Sequence, residues 1–350
     1  MERLHIAFFG PTNSGKSTLV NALAGQQVSL VSPIPGTTTD PVRKSIELPG
    51  LGPCVLIDTA GLGDESALGA ERQRLTRAIL DETDIAVVLD APDFGALAAQ
   101  AGIPVIHYKR GEGVESLLER LIEAAPQEER KFLTGGLVQA GSSVLLVMPQ
   151  DSEAPKGRLI LPQVQVLREL LDRGCVPHSC TPDSLQAALE SLSRMPDLVI
   201  TDSQVFGLVE RSIPKDCPLT SFSVLLAAAK GDVRVFVEGA KAIDALRPGD
   251  RVLIAEACTH VPDTEDIGRV KIPSLLRRKA GEIEVDIAAG NDFPEDLSPY
   301  SLIIHCGACV ANARLVRSRI RKALLAGVPI TNYGIAIAKL QGILDRISVP

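Results

Sequence analysis

The sequence has no tryptophan, and aromatic residues occupy only 3% of its 350 positions. Platforms that stack single-stranded nucleic acid are built from aromatic side chains, so the material for such a platform is scarce. The formal net charge of −7 also disfavours the broad basic surface that is typical of nucleic-acid-binding proteins. No apolar run approaches the roughly 18 residues of a membrane-spanning helix. We therefore expect neither a nucleic-acid partner nor a membrane partner.

The first ten residues, MERLHIAFFG, contain a short apolar run without the cleavage pattern of a signal peptide, and we expect a first strand there. Seven cysteines in a chain without an export signal are typical of a reducing cytoplasm, where thiols stay free or bind metal. Hydrophobic content of 45% with 23% charged residues is typical of a globular protein. The length suffices for two or three domains, each with its own core.

A phosphate-binding loop follows the predicted first strand. The segment HIAFFGPTNSGKSTLVNAL reads as strand, loop and helix, and it contains the pattern G-x-x-x-x-G-K-S in that context. Backbone N–H groups of such a loop and the positive end of the helix bind phosphate, the lysine reaches the outer phosphates, and the serine hydroxyl binds Mg²⁺. The predicted binding residues of the loop are Gly10, Asn13, Ser14, Gly15, Lys16, Ser17 and Thr18.

A second apolar strand ends in Asp58-Thr59-Ala60-Gly61, which resembles the D-x-x-G element of small GTPases. The resemblance implies that Asp58 supports Mg²⁺ and that the Gly61 amide senses the γ-phosphate of GTP. Between the two motifs, PGTTTDPV resembles the first switch loop of the Era/TrmE-like GTPases. There it implies a contact of Thr38, or of a neighbouring threonine, with Mg²⁺.

The same resemblance implies a limited activity. Asn13 stands where potassium-activated members carry asparagine, and Leu62 stands where Ras-like enzymes place a water-orienting glutamine, which implies slow hydrolysis assisted by K⁺. The guanine-reading element N-K-x-D does not occur after Asp58. VIHYKRGEGVESLLERLIEA resembles the closing S-A-K loop and last helix of these GTPases, with Lys109 in the lysine position. We expect the strand and helix around the base-reading element to be shortened or lost.

Strand-like and helix-like segments alternate between SSVLLVMP and PDLVITD, and this pattern predicts a small parallel sheet. A short helix is expected from about Leu219 to Ala229. Cys175, His178 and Cys180 lie close in sequence, but no second cluster completes a set of four metal ligands, so we interpret them as isolated, semi-buried residues. By elimination, we expect this region to form the contacts of a homodimer.

Thiols and imidazoles follow two further apolar strands. RVLIAEACTH delivers Cys258 and His260, and SLIIHCGAC delivers His305, Cys306 and Cys309. If the strands are parallel neighbours, their carboxyl ends open onto one crevice, where α/β sheets place ligands. The C-x-x-C spacing lets both sulfurs face one metal centre. Zinc with three cysteines and one histidine, and a 4Fe-4S cluster with one open iron, both fit the spacing.

The pattern C-x-H…H-C-x-x-C, downstream of an Era-like domain, resembles the HydF family of FeFe-hydrogenase maturation GTPases. Phrases such as VLIAEACTH, IHCGAC and AGVPITNYG carry the resemblance. It implies a 4Fe-4S cluster on Cys258, Cys306 and Cys309, with His260 and His305 as fourth ligand or as neighbours of the cluster. It also implies a scaffold that receives a di-iron precursor from two radical-enzyme maturases and delivers it to apo FeFe-hydrogenase.

The expected fold is α/β in three domains. Residues 1–125 form a truncated P-loop GTPase domain, 126–142 a linker, 143–232 a dimerising α/β domain and 233–350 a cluster-binding α/β domain. Arg314, Arg317 and Arg321 share a helix face that would attract an anion or, more simply, stay solvated. Two other functions stay open at this point: a zinc-containing GTPase of ribosome or tRNA maturation, and a zinc-stabilised adaptor without turnover.

Overall fold

The computed structural model describes residues 3–25, 41–59, 76, 78–126, 132–150, 159–257 and 266–350. The chain divides into two compact units, Met1–Glu129 and Arg130–Pro350. Among the described helices, none combines the length and the apolar character needed to cross a membrane.

The first unit is built on a five-stranded sheet with the strand order β2-β3-β1-β4-β5. β2 runs antiparallel to β3, and the other pairs are parallel. The central strands β1 and β4 are apolar except for His5 because helices cover both faces of the sheet. The elements are β1 (Leu4–Phe9), α1 (Lys16–Ala24), β2 (Val42–Leu48), β3 (Gly52–Asp58), β4 (Ile85–Leu89), α2 (Pro92–Gln100), β5 (Val105–Tyr108) and α3 (Val114–Ala124).

The edge of this sheet explains the missing base-reading element. β5 pairs directly with β4, and the loop that carries Lys109 leads from β5 straight into α3. In the described stretch between β4 and β5 only α2 occurs, and no strand there presents an N-K-x-D sequence ahead of the loop that resembles S-A-K. The phosphate half of a GTPase site is therefore built without the strand that usually completes the base half.

The second unit begins with a four-stranded parallel sheet in the order β7-β6-β8-β9. The prediction of a helix from Leu219 was wrong at its start, because Leu219–Ser221 form strand β9 beside β8. The Ser221 side chain then accepts a hydrogen bond from the Val224 N–H and caps the helix that follows. The elements are β6 (Ser143–Val147), α4 (Leu161–Asp172), β7 (Val176–Cys180), α5 (Leu185–Ser191), β8 (Leu198–Thr201), α6 (Phe206–Ser212), β9 (Leu219–Ser221) and α7 (Phe222–Lys230).

A second parallel sheet, in the order β11-β10-β12-β13, completes this unit. β10 and β12 are parallel neighbours, so the condition under which their carboxyl ends open onto one crevice is met. One hydrophobic cluster contains buried residues of both sheets of the unit, including Leu145 of β6 and Ile254 of β10. The elements are α8 (Val233–Ala240), β10 (Arg251–Glu256), α9 (Ile272–Ala280), β11 (Glu284–Ala289), β12 (Leu302–His305), α10 (Ala313–Leu325), β13 (Ile330–Asn332) and α11 (Tyr333–Leu340).

The two sheets of the second unit have the same topology, which indicates an internal duplication. Their strand orders correspond position by position. GRLILP in the first half matches GRVKIP in the second, and PLTSFS matches PITNYG. In the ladder registers, Val147 pairs with Thr201 as Ala255 pairs with His305. Thr201 thus takes the place of His305, and only the second copy carries a C-x-x-C pair after this strand.

Candidate functional sites

The phosphate loop between β1 and α1 depends on two glycines and one strained asparagine. A Cβ on Gly10 would lie 2.4 Å from the Leu89 carbonyl oxygen, so only glycine fits beneath the loop. Asn13 and Gly15 have φ of 63° and 96°, in the left-handed region. Glycine adopts this region freely, and asparagine tolerates it better than most residues. These positive angles turn the loop toward the N-terminus of α1.

Lys16 and Ser17 are the first residues of α1. The Lys16 Nζ donates to the carbonyl oxygens of Gly10 (2.9 Å) and Pro11 (2.8 Å). Burial lowers the pKa of Lys16, and nearby Asp58 partly opposes the effect. The Ser17 hydroxyl donates to Asp58 Oδ2 at 2.6 Å, so the two predicted magnesium-binding groups lie together. A hydroxyl and a carboxylate beside a phosphate loop are oxygen donors that suit Mg²⁺.

The other residues predicted to bind the nucleotide differ in burial, and two of them are not described. Ser14 is buried and Thr18 is exposed, while Thr38 and Gly61 lie outside the described residues. One contact was missed by sequence reasoning: Arg110 Nη2, from the loop after β5, donates to the Asn13 carbonyl oxygen at 2.8 Å. A guanidinium therefore lies against the phosphate loop. Only the position of Arg110 beside Lys109 could have signalled it.

The second site lies at the carboxyl edge of the last sheet. Directly after β12, the Cys306 sulfur accepts N–H bonds from Ala257 (3.1 Å) and Ala308 (3.4 Å). Ala308, between the two cysteines, has a φ of 51°, which tightens the C-x-x-C turn. Burial raises the pKa of the Cys306 thiol, and the two N–H donors partly oppose this. Helix α10 begins only at Ala313.

Lys230, the last residue of α7, stabilises the C-x-x-C loop through hydrogen bonds to its backbone. Its buried Nζ donates to the carbonyl oxygens of Ala308 (2.7 Å), Cys309 (3.3 Å) and Ala311 (2.7 Å). Backbone carbonyls that converge on one ammonium cannot turn away without losing a charge-assisted bond. The conformation of the loop is thus fixed by a side chain from the preceding sheet's last helix.

His305 is buried, and both of its ring nitrogens have partners. Its Nδ1 lies 2.7 Å from the Cys306 carbonyl oxygen, and its Nε2 lies 3.1 Å from Arg319 Nη1. A carbonyl can only accept and a guanidinium can only donate, so the ring is neutral with its proton on Nδ1. Burial and the Arg319 charge lower the pKa of His305 to about 3. Without a change in these partners, His305 has no lone pair left for a metal.

Arg319 was missed by sequence reasoning, which weighed its neighbours Arg314, Arg317 and Arg321 instead. It is only 2% exposed. Besides His305, its guanidinium donates to the carbonyl oxygens of Glu256 (3.1 Å) and Gly290 (2.6 Å) and lies 4.9 Å from the centre of the Phe293 ring. These partners follow or end strands β10, β11 and β12. Arg319 therefore ties three strand ends together beneath the site.

A buried ion pair and a phenol complete the described surroundings. Glu256, 1% exposed at the end of β10, accepts from Arg269 at 2.8 Å. The Tyr333 hydroxyl lies so close to Gly268 that a Cβ there would be 1.9 Å from it. Burial raises the pKa of Tyr333 well above its usual value, with Cys306 and Glu256 adding to the effect.

The predicted ligands Cys258 and His260 lie outside the described residues. Among the residues that are described, no group of three or more potential metal ligands lies together. The described part of the site nevertheless fits an iron–sulfur centre in its donor chemistry. Two thiols lie on a tight turn, and two backbone N–H groups donate to the Cys306 sulfur. One of these donors is Ala257, the residue that directly precedes Cys258.

The other cysteines show no such setting. The Cys175 sulfur lies 3.4 Å from the Gln139 carbonyl oxygen, and Cys217 is buried against Pro196 and Pro218. Burial raises the pKa of Cys54 to about 11 and raises those of Cys175, Cys180 and Cys217. These thiols are protonated packing groups.

Comparison with protein-family models divides the chain into three matches. Residues 5–132 match a model described as a 50S ribosome-binding GTPase. Residues 133–231 match the hydrogen maturase F dimerization domain, and residues 234–350 match the hydrogen maturase F tetramerization domain.

Curated relatives resemble only the first part. The tRNA modification GTPase MnmE of Methylobacterium sp. (strain 4-46) is 41% identical over 150 residues, which cover 35% of this chain and 34% of the relative. MnmE of Xanthomonas oryzae pv. oryzae (strain MAFF 311018) is also 41% identical, over 39% of this chain and 31% of its own length. The chain thus spans about a third of the length of these curated relatives.

Solved structures show weaker likenesses. Aquifex aeolicus Era, bound to GDP and aluminium fluoride, is 17% identical over 84% of this chain and 97% of its own, with a TM-score of 0.28. S. thermophilus NFeoB, bound to GDP, aluminium fluoride and K⁺, is 20% identical over 35% of this chain and 62% of its own, with a TM-score of 0.23. Scores this low do not establish a common overall fold.

Proposed function

Because the chain belongs to the hydrogen maturase F family, we propose that its last domain binds a 4Fe-4S cluster through Cys258, Cys306 and Cys309. The observation that carries the proposal is the 3.1 Å bond from the Ala257 N–H to the Cys306 sulfur. Ala257 directly precedes Cys258, so the backbone that leads to one proposed ligand contacts the sulfur of another. When bound, such a cluster supplies an iron open to an added ligand.

The surrounding residues have separate tasks in this proposal. Lys230 holds the C-x-x-C turn through three carbonyls, and Arg319 holds the strand ends. His305 supports the site as a neutral neighbour, since both its nitrogens are engaged. His260 remains the proposed fourth ligand or a second neighbour of the cluster.

We further propose that the protein is a scaffold and carrier in the cytoplasm. It would receive a di-iron precursor from two radical-enzyme maturases and deliver it to apo FeFe-hydrogenase. Family membership supports this part of the proposal. The dimerization and tetramerization models, over residues 133–231 and 234–350, support oligomers, and we propose a homodimer through the middle domain as the basic assembly.

The first domain would bind nucleotide phosphates with Mg²⁺ through Lys16, Ser17 and Asp58, with K⁺ near Asn13. The contact between Ser17 and Asp58 supports the magnesium site. With no base-reading strand between β4 and β5, part of the binding energy that a base pocket contributes is lost. We therefore infer weak nucleotide binding and, at most, slow GTP hydrolysis.

Anaerobic reconstitution with iron and sulfide tests the cluster. Wild type is compared with Cys258→Ala, Cys306→Ala and Cys309→Ala by absorbance, iron content and EPR after reduction. Cys180→Ala, a partly buried cysteine of the middle domain, is the matched control. We expect a brown protein whose reduced 4Fe-4S signal is lost or severely weakened in the three variants and retained in the control.

A colourless wild type that retains stoichiometric zinc would contradict the proposal. It would favour either a zinc-stabilised adaptor or a zinc-containing GTPase of ribosome or tRNA maturation. The MnmE relatives favour the second only over the first third of the chain, and the matches to residues 133–231 and 234–350 argue against it.

A further inference from the structure

Tyr333 starts helix α11 directly after β13, the strand beside β12. Asn332 fixes the direction of this turn: its side-chain oxygen accepts from the Gly334 N–H at 2.9 Å and from the Ser223 hydroxyl at 3.1 Å. From there the phenol reaches across the end of β12 to Gly268, which lies beyond β10. Its hydroxyl thus lies over the carboxyl edge that carries Cys306.

The hydroxyl lies close to both ends of the segment that contains Cys258 and His260. Glu256 ends the strand on one side of that segment, and Asp266, Gly268 and Arg269 follow it on the other. A Cβ on Gly268 would be 1.9 Å from the Tyr333 hydroxyl and 3.1 Å from Glu256 Oε1. Burial raises the pKa of the phenol, nearby Cys306, Glu256 and Asp266 add to the effect, and Arg269 opposes it.

This hydroxyl is buried and makes no hydrogen bond with any described residue. A buried polar atom without a partner costs free energy comparable to a lost hydrogen bond, and native proteins rarely keep one without a use. A phenylalanine would fill the same space without that cost. The tyrosine therefore needs an acceptor that the protein's described groups do not supply.

We propose that the Tyr333 hydroxyl donates a hydrogen bond to an anionic acceptor of the bound cluster, either a cluster sulfide or an anion on the open iron. The inference rests on the proposed function, because it needs a cluster at Cys258, Cys306 and Cys309. In this proposal the three thiols bind the cluster, and Tyr333 is a positioning residue that orients the cluster or the anion bound to its open iron.

The first test uses the protein before reconstitution. Since the hydroxyl has no described partner, Tyr333→Phe removes no hydrogen bond, and the thermal unfolding midpoint should stay equal or rise. Tyr300→Phe is the matched control, because the Tyr300 hydroxyl donates to Asp286 Oδ2 at 2.9 Å on the outer strand β11. A clear loss of stability in Tyr333→Phe would mean a merely structural hydroxyl and would overturn the inference.

The second test compares reconstituted wild type, Tyr333→Phe and Tyr300→Phe at equal iron and sulfide content. A hydrogen bond to cluster sulfur raises the reduction potential. An EPR-monitored redox titration of Tyr333→Phe should then give a more negative midpoint if the acceptor is a sulfide. If the acceptor is the added anion, the midpoint stays and the dissociation constant for cyanide rises about ten- to a hundredfold, as expected for one charge-assisted bond.

An unchanged midpoint together with an unchanged cyanide affinity would overturn the inference while leaving the cluster proposal intact. Failure of the wild type to assemble any cluster would remove both. Reconstitution of wild type and Tyr333→Phe in D₂O gives a third measurement: pulsed EPR should detect an exchangeable deuteron coupled to the reduced cluster in wild type that Tyr333→Phe lacks, because the Ala257 and Ala308 amides that donate to the Cys306 sulfur are present in both. The absence of such a coupling would also contradict the proposed bond.

Discussion

Replacement of Arg319 by methionine should destabilise the second unit more than any other single arginine change on α10. The guanidinium donates to His305 Nε2, the Glu256 carbonyl and the Gly290 carbonyl, at 3.1, 3.1 and 2.6 Å, in a place that is 2% exposed. Each bond from a charged donor contributes about 1.5–3 kcal/mol, but bonds of one network do not add fully. We expect a loss of about 3–5 kcal/mol, as for other broken buried charge networks.

Urea unfolding followed by a probe in the second unit measures this loss. Amide hydrogen exchange measures the local effect. The Cys306 and Gly290 amides donate to carbonyl oxygens of β10 beside Arg319, so both should exchange faster in Arg319→Met. Arg319→Lys keeps the charge but loses the planar fork, so it should fall between wild type and Arg319→Met. Arg321→Met, at an exposed position of the same helix, is the control and should change stability by less than about 0.5 kcal/mol. A loss in Arg319→Met no larger than in Arg321→Met would refute the reasoning.

Three further predictions concern the two sites. Gly10→Ala places a Cβ 2.4 Å from the Leu89 carbonyl oxygen, so it should destabilise the first unit by about 1–3 kcal/mol and weaken nucleotide binding. Gly113→Ala is the control, because a Cβ there meets open space and should change neither property. Thermal unfolding measures the stability, and calorimetric titration measures the binding. Lys230→Met removes the donor for three carbonyls, so urea unfolding should show a loss of about 2–4 kcal/mol, against little change for the exposed Lys241→Met. Calorimetric titration with Mg²⁺ should give weak binding of GTP and ATP with little discrimination, and Ser17→Ala should weaken both; tight, GTP-selective binding would contradict the expected loss of the base-reading strand.

Local patterns were sufficient to predict the elements that carry chemistry. The alternation of apolar runs and helical segments predicted the parallel sheet of the middle region, whereas the neighbouring of β10 and β12 was only a condition that their ladder then met. The phosphate loop was readable because its glycines, lysine and serine act through fixed backbone spacing. Strand β9 was not readable, because three residues next to a helical pattern give no periodic signal, and only its ladder with β8 identifies it.

The surroundings of the cysteine site could not be read in the same way. Arg319 and Tyr333 reach the strand ends around the C-x-x-C loop from separate elements, and their own sequence neighbourhoods resemble ordinary helix starts and surface stripes. The duplication of the two sheets was equally hidden, since the matching segments are short and the C-x-x-C pair occurs in only one copy.

The sequence by itself determined which chemistry is present: a phosphate loop without its guanine reader, and three thiols with two imidazoles after apolar strands. Those are properties of residue type and spacing, which the chain carries before it folds. Only the tertiary structure decided their roles. In the folded protein both ring nitrogens of His305 have hydrogen-bond partners, Arg319 is buried against three strand ends, and the Tyr333 hydroxyl lies at the carboxyl edge that carries Cys306. Partners, burial and the direction of a side chain arise from long-range packing, and no local pattern encodes them.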